Sequence, residues 1–434
     1  MKKSILFPVL LMACIFCSCE KIVPILENKT NPDEEPVIRN GGIIDRIFDR
    51  PNPRPLYLNA NEIEQSYSQM GADFGMKLFK YLCENAKDGE NVCISPLSLE
   101  IALGMLANGV EPEAQRELLD SIAGKDVTSD SLNVWYQKMR SAFQATNSIA
   151  LANALWTQEG YTINPNFIEV NKASYDAEIG YLDFTQTQEA KDSICQWAYD
   201  HTYGQIRELN LPIDPRTRLV LANATWFSAN WSQQFGIIFE ELGFEEQTFK
   251  RSDGQISHIE EMMRKIGTYK YAEDSSYRLI DIPIGWYNFS MLVALPNEGL
   301  TPNEILPELD WNLPTYNTFV ELRLPKFSFK TTNELKLPLK ELGIRKAFEP
   351  YRLTGINREL QVGFVNQDIS VKIHQYGVEM AALTTLEMLA GANLGEKEET
   401  PIPVPFFVDR PFVFAVRDNV CHNILFIGKV EDLK

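Results

Sequence analysis

Apolar residues recur along this chain in two rhythms, a four-residue spacing in the first half and continuous or alternating apolar runs in the second. Phe74, Leu78 and Leu82, within QMGADFGMKLFKYLCENA, mark one face of a core-type amphipathic helix. In NVCISPLSLEIALGMLANG a short apolar strand ends at Ser95-Pro96. Ser98 can cap the helix that follows, whose apolar positions include Ile101, Leu103 and Leu106. SIALANALWTQEGYTINPNFIEVNKASYDAEIGYLDF reads as strand, turn, helix and strand, and residues 188 to 204 carry another helix with Trp197 in the core. From Arg218 to Phe227, RLVLANATWF is a continuous apolar run, the pattern of a central strand covered on both faces. Strands are expected at RLIDIPI, FSMLVALP and TFVELRLPKFSF, a helix at ELKLPLKELGI, and a final pair of strands at PFVFAVR and NILFIGK. No internal repeat is present. Helices gather in the first half and strands in the second, which argues for an α+β fold with large, mostly antiparallel sheets rather than for alternating βαβ units.

The stretch from His374 to Phe412 breaks this pattern. It opens like a strand, loses its apolar positions from Gly391 to Thr400, and returns through a proline run to the last two strands. A loop of this length inside a compact domain is uncommon and usually functional or disordered.

Composition narrows the classes. The chain has 434 residues, 44% of them apolar and 23% charged, enough for a sizeable core. Its formal charge of -18 argues against a nucleic-acid footprint and against binding anionic lipid heads. Lys2 and Lys3 precede an apolar run from Ile5 to Phe16, too short to span a bilayer, which reads as a secretory signal. The cysteines that close this run resemble the lipid-attachment site of bacterial lipoproteins. Cys19 is the expected site because charge begins immediately after it, with Cys14 as runner-up. Cys14 and Cys17 also match a CxxC spacing, but inside a leader this carries no redox or metal reading. Residues 1–19 are thus expected to be a signal peptide, 20–63 a Pro-, Asn- and acid-rich tether, and 64–434 the folded domain of an exported, membrane-anchored protein at an outer membrane or cell surface. The remaining thiols, Cys83, Cys93, Cys195 and Cys421, sit in apolar patterns and are expected to be buried rather than bridged.

Five segments then make a specific match. NVCISPLSLEIALGMLANG, LANALWTQEGYTINPNF, RLVLANATWFSANW, LPKFSF with LKELGI, and VPFFVDRPFVFAVRDN with ILFIGKV resemble, in this order, the serpins, the serine protease inhibitor family. The resemblance runs from about Gln69 to the C-terminus. It implies a serpin-like α+β fold with about eight or nine helices and an exposed reactive loop near the C-terminus. By the same resemblance Ser95, Asn223 and His374 meet beneath the main sheet and control its opening, and Trp231 stands at the top of that sheet. A hydrolase built on Ser95 and His374 has no support: there is no G-x-S-x-G elbow, and the spacing offers neither an oxyanion hole nor an acidic partner for the histidine. His201, His258 and His422 show no ligand spacing and no phosphate-cradling glycine pattern occurs, so no metal and no cofactor is assigned.

In the family a protease cleaves the loop, the freed strand inserts into the main sheet, and the protease is trapped as an acyl-enzyme. The expected partner here is a serine, or alternatively a cysteine, protease, met by a monomer. The expected rival is a non-inhibitory serpin that binds a ligand or partner. Two alignments locate the hinge. Thirty-seven residues separate His374 from Pro411, close to the family's interval, so the colinear alignment is preferred. It makes HQYGVEM the strand before the hinge, places the hinge at Thr384, Thr385, Leu386 and Glu387, and puts the scissile bond within Glu396, Lys397, Glu398, Glu399 and Thr400. Glu387 would then be buried on insertion at a cost of several kcal/mol. The second alignment matches Gly377-Val378-Glu379-Met380-Ala381-Ala382-Leu383-Thr384 to the family's G-T-E-A-A-A-x-T, with Val378, Met380, Ala382 and Thr384 inward and the scissile bond near Leu389 to Ala392. It deletes most of a central strand ahead of the hinge and lengthens the loop to match.

Overall fold

The computed structural model describes residues 54–202, 204, 206, 209–233, 236–238, 248–259, 262–379 and 402–433, all within one compact unit, Asp49–Lys434. Eight α-helices occur among them: α1 (Glu62–Asn85), α2 (Pro96–Ala107), α3 (Pro112–Ile122), α4 (Ser129–Ala145), α5 (Pro165–Tyr175), α6 (Thr187–His201), α7 (Pro302–Ile305) and α8 (Lys336–Glu341). The strands are β1 (Val92–Ile94), β2 (Ile149–Gln158), β3 (Ala177–Leu182), β4 (Leu219–Asn230), β5 (Gly236–Ile238), β6 (Thr248–Lys250), β7 (Ile256–His258), β8 (Met262–Glu273) and β9 (Tyr277–Ile284). They continue with β10 (Phe289–Pro296), β11 (Tyr316–Pro325), β12 (Phe327–Glu334), β13 (Asn366–His374), β14 (Gly377–Glu379), β15 (Val404–Phe407), β16 (Phe412–Asp418) and β17 (Ile424–Val430).

A nine-stranded sheet runs β1-β17-β16-β10-β9-β8-β11-β15, with β5 also on β8, and a six-stranded sheet runs β12-β13-β14-β4-β2-β3. The pairings are antiparallel except β2 with β3 and β11 with β15. The expected α+β architecture is the observed one.

Local sequence explains the placement of the first two helices. α1 starts in a capping box in which Asn61 Oδ1 accepts from Glu64 N and Asn61 N donates to Glu64 Oε2, each at 2.9 Å. α2 has Ser95, not Ser98, at its N-cap and Pro96 in its first turn, where a missing N–H costs nothing. Every α2 residue except Ala102 is buried, Ser98 and Glu100 included, so this mostly apolar helix lies in the middle of the molecule and its first turn supports the six-stranded sheet.

The folded part begins before the expected boundary near residue 63. Arg54 N donates to Thr146 O at 3.0 Å, Leu56 N to Asn288 Oδ1 at 2.8 Å, and Leu58 is buried. Cys83, Cys93 and Cys421 are buried thiols, as expected, and burial pushes Cys83 and Cys421 up to about 12. Trp197 packs edge-on against Trp156 at 6.3 Å, fixing α6 to the outer face of the six-stranded sheet.

Candidate functional site: a slot between β4 and β13

β4 and β13 are long neighbours held apart. Between them lies only β14, three residues long, paired antiparallel to both. Among the described residues no pairing joins β4 to β13 directly, and below β14 a cleft of about 760 Å³ opens between them, floored by Ser98, Leu99, Ala102 and Leu103 of α2. Two strands of one sheet thus keep backbone groups turned toward a lane in which no further strand stands among the described residues. Such an edge is a template for one more strand.

At the upper end of the lane the chain reverses at Gln375–Tyr376. Trp231 pins this turn twice, donating from its main-chain N to Tyr376 O at 2.9 Å and from its indole Nε1 to His374 O at 2.8 Å. Tyr376 N donates to His374 Nδ1 at 3.1 Å. Gly377 then lies so close to β4 that a Cβ there would fall on the carbonyl oxygen of Ala229, and Val378 beyond it is buried. HQYGVEM is therefore not one strand: β13 ends at His374 and Gly377–Glu379 runs back down the lane. The strand that the second alignment was thought to delete is intact, because it lies upstream of His374, in Asn366–His374.

Midway along the lane, α2 bolts its two banks together. On the β13 side Gln367 makes a reciprocal pair with the N-cap residue: Ser95 N donates to Gln367 Oε1 and Gln367 Nε2 donates to Ser95 O, both at 2.9 Å. The Ser95 hydroxyl is committed elsewhere, donating to Leu425 O at 2.6 Å. On the β4 side Ser98 Oγ donates to Asn223 Oδ1, and Asn223 Nδ2 donates to Asn153 Oδ1 of β2 at 2.8 Å. Ser95 is fully buried and Asn153 nearly so, so these bonds act in a dry environment where losing a partner is expensive.

Ser95 is the N-cap of α2, Asn223 lies on β4 and Trp231 holds the turn at the upper end of the lane, whereas His374 does not join the first two. Seven residues of extended strand, roughly 23 Å, separate it from Gln367, and its place in the cluster is taken by Gln367. That separation also rules out a Ser95–His374 catalytic pair. Gln367 escaped the sequence reading because the colinear alignment made His374 the strand residue to align, and Ser98 was read only as a helix cap. Counting back from Gly377 along the second alignment would have found Gln367. The hinge residues Thr384, Thr385, Leu386 and Glu387, the bait residues Glu396, Lys397, Glu398, Glu399 and Thr400, and Cys19 lie outside the described residues. Of the other histidines, His201 pairs with Glu178 at 2.7 Å, and burial lowers His422. No group of three His, Cys, Asp or Glu among the described residues is arranged to hold a metal ion.

The family model described as Serpin (serine protease inhibitor) matches residues 69–433. The chain belongs to the serpin family. Among similar serpins, a serpin-like protein of Methanosarcina acetivorans is 32% identical over 365 residues, covering 79% of this chain and 82% of its own. Glia-derived nexin of Rattus norvegicus is 28% identical and covers 87% of this chain and 95% of its own. The crystal structure of tengpin, a thermophilic serpin, in its native state superposes with a TM-score of 0.72 at 25% identity, covering 89% of this chain and 99% of that one. Serpins are generally protease inhibitors rather than enzymes.

Proposed function

We propose that this serpin traps a serine protease by inserting its cleaved loop into the slot, with the hinge at Gly377. The observation that carries the reading is the register of β14. It pairs Gly377 with His374 on one side and with Asn230 on the other. Were both registers continued down the lane, they would arrive at the same residue: Thr384 would meet Gln367 on β13 and Asn223 on β4. An inserting strand would therefore bring a small hydroxyl residue level with the two bonds that α2 uses as a bolt.

The same register sorts the loop by face. Val378 is buried, and because side chains alternate, Met380, Ala382 and Thr384 would follow it inward on insertion. Glu387 would then fall on the opposite face, which would remove the buried-carboxylate penalty of the colinear alignment. With this hinge the family spacing puts the scissile bond near Leu389 to Ala392 rather than within Glu396–Thr400. Small apolar residues there suit an elastase-like pocket. We further propose export and anchoring through lipid on Cys19, and action as a monomer.

The test is incubation with elastase-like, trypsin-like and Glu-specific serine proteases, read as denaturant-stable complexes with the cleaved bond named by mass spectrometry. A covalent complex with the elastase-like enzyme, cleaved between residues 389 and 392, is expected. Two variants check the register: Thr384→Arg, which would turn a charge inward, is expected to convert the inhibitor into a plain substrate, while Thr385→Arg is expected to keep trapping. Equal effects of the two would contradict the proposed faces.

A further inference from the structure

The turn between β9 and β10 is built in an unusual way. Gly285, Trp286 and Tyr287 have φ of 57°, 60° and 64°, three successive residues in the left-handed region. Glycine adopts it freely, but a bulky aromatic residue there is an outlier that persists only where its surroundings enforce it. They do so here. Gly285 N donates to Asn230 O at 2.9 Å, Tyr287 N to Ser232 Oγ at 3.2 Å, and Asn419 Nδ2 to Tyr287 O at 3.0 Å. The result is that Trp286 is 69% exposed and Tyr287 60% exposed. Of the seven tryptophans, the other six are buried or half-buried.

The same turn receives the N-terminal end of the folded part. Asn288 clasps the incoming chain, accepting from Leu56 N and donating from Nδ2 to Arg54 O at 2.7 Å. Tyr57, next along, is 82% exposed. The 53 residues upstream, with the apolar run Ile5–Phe16 and Cys19, therefore join the domain beside an exposed Trp, Tyr, Tyr group.

We propose that Trp286, Tyr287 and Tyr57 form a membrane-contact face that enters the headgroup region of a bilayer, so that the domain docks rather than swings on its tether. This rests on the reading of Cys19 as a lipid anchor. Tryptophan and tyrosine are the residues that favour the interface between water and hydrocarbon. Three side chains bind a bilayer weakly alone, but a tether that ends beside them raises the local lipid concentration enough to make the contact persist. The net charge of -18 makes an uncharged, zwitterionic surface the suitable one.

The experiment holds residues 20–434, with a hexahistidine tag in place of the leader, on phosphatidylcholine vesicles doped with nickel-chelating lipid, and reads tryptophan quenching by brominated acyl chains. Quenching that disappears in Trp286→Phe is expected, together with a higher melting temperature for Trp286→Gly, which relieves the backbone. No difference between wild type and Trp286→Phe on the vesicles would overturn the proposal. Protection of Trp286 from acrylamide in solution, before any vesicle is added, would also overturn it and would assign the face to the chain's own upstream segment. Because the tag supplies the tether, this outcome is independent of lipidation, which mass spectrometry of the membrane-derived chain tests separately.

Discussion

Glu100 sits on α2 with its carboxyl against the backbone of Gly71 on α1, where a Cβ would collide with it. Burial raises it from its ordinary 4.5 to about 8. The folded state therefore holds a proton that the unfolded chain has released, and stability falls as pH rises through the interval between those two values, by at most about 1.4 kcal/mol per pH unit. Glu100→Gln is expected to flatten the melting temperature between pH 5 and pH 8. Parallel profiles for variant and wild type would contradict this. Gln367 is the second residue with a sharp expectation. Gln367→Leu leaves Ser95 N without its partner in a buried site, while Ser95 O keeps the N–H of Leu99, so unfolding in denaturant should show a loss of roughly 1–3 kcal/mol. A loss under about 0.5 kcal/mol, the range of a neutral surface change, would mean that the reciprocal pair does not hold the slot. Neither residue announced itself in the sequence. Glu100 lies in an apolar helical run with nothing to mark it as neutral, and Gln367 is an ordinary polar residue in an alternating strand.

Among the elements, the turn at Gln375–Tyr376 was the least legible. It contains no Gly, Pro, Asn or Asp at its corner, the residues that normally punctuate a chain reversal. What makes it a turn is Trp231, 144 residues upstream in the chain, and a constraint of that range leaves no local trace. Gly377 follows the turn for a steric reason, the close approach to Ala229. Gly377→Ala is accordingly expected to unseat β14 and to lower the yield of trapped protease relative to cleaved inhibitor. Trapping at the wild-type ratio would show that the β14 seat is dispensable. The helices and long strands, by contrast, were readable because burial on one side imposes a period that a single sequence displays. The Phe74, Leu78, Leu82 face of α1 and the apolar β10, β16 and β17 are where the pattern indicated.

For the whole molecule, short ordered segments sufficed for the family, since the five quoted matches are spread in order from residue 91 to residue 430. The hinge resisted because two alignments differ by a seven-residue shift, and composition alone cannot say where β13 stops. On the proposed function, β4 and β13 stand apart to admit the loop as a further strand starting at Gly377. Adding that strand would convert two unpaired edges into a continuous sheet and bury an apolar face over α2, so the cleaved molecule should be much the more stable form. The direct measurement is the melting temperature of the protein before and after a single cut in the loop. A rise of tens of degrees after cleavage is the predicted result. An unchanged or lower melting temperature would mean that the slot stays empty and that this serpin does not trap by insertion.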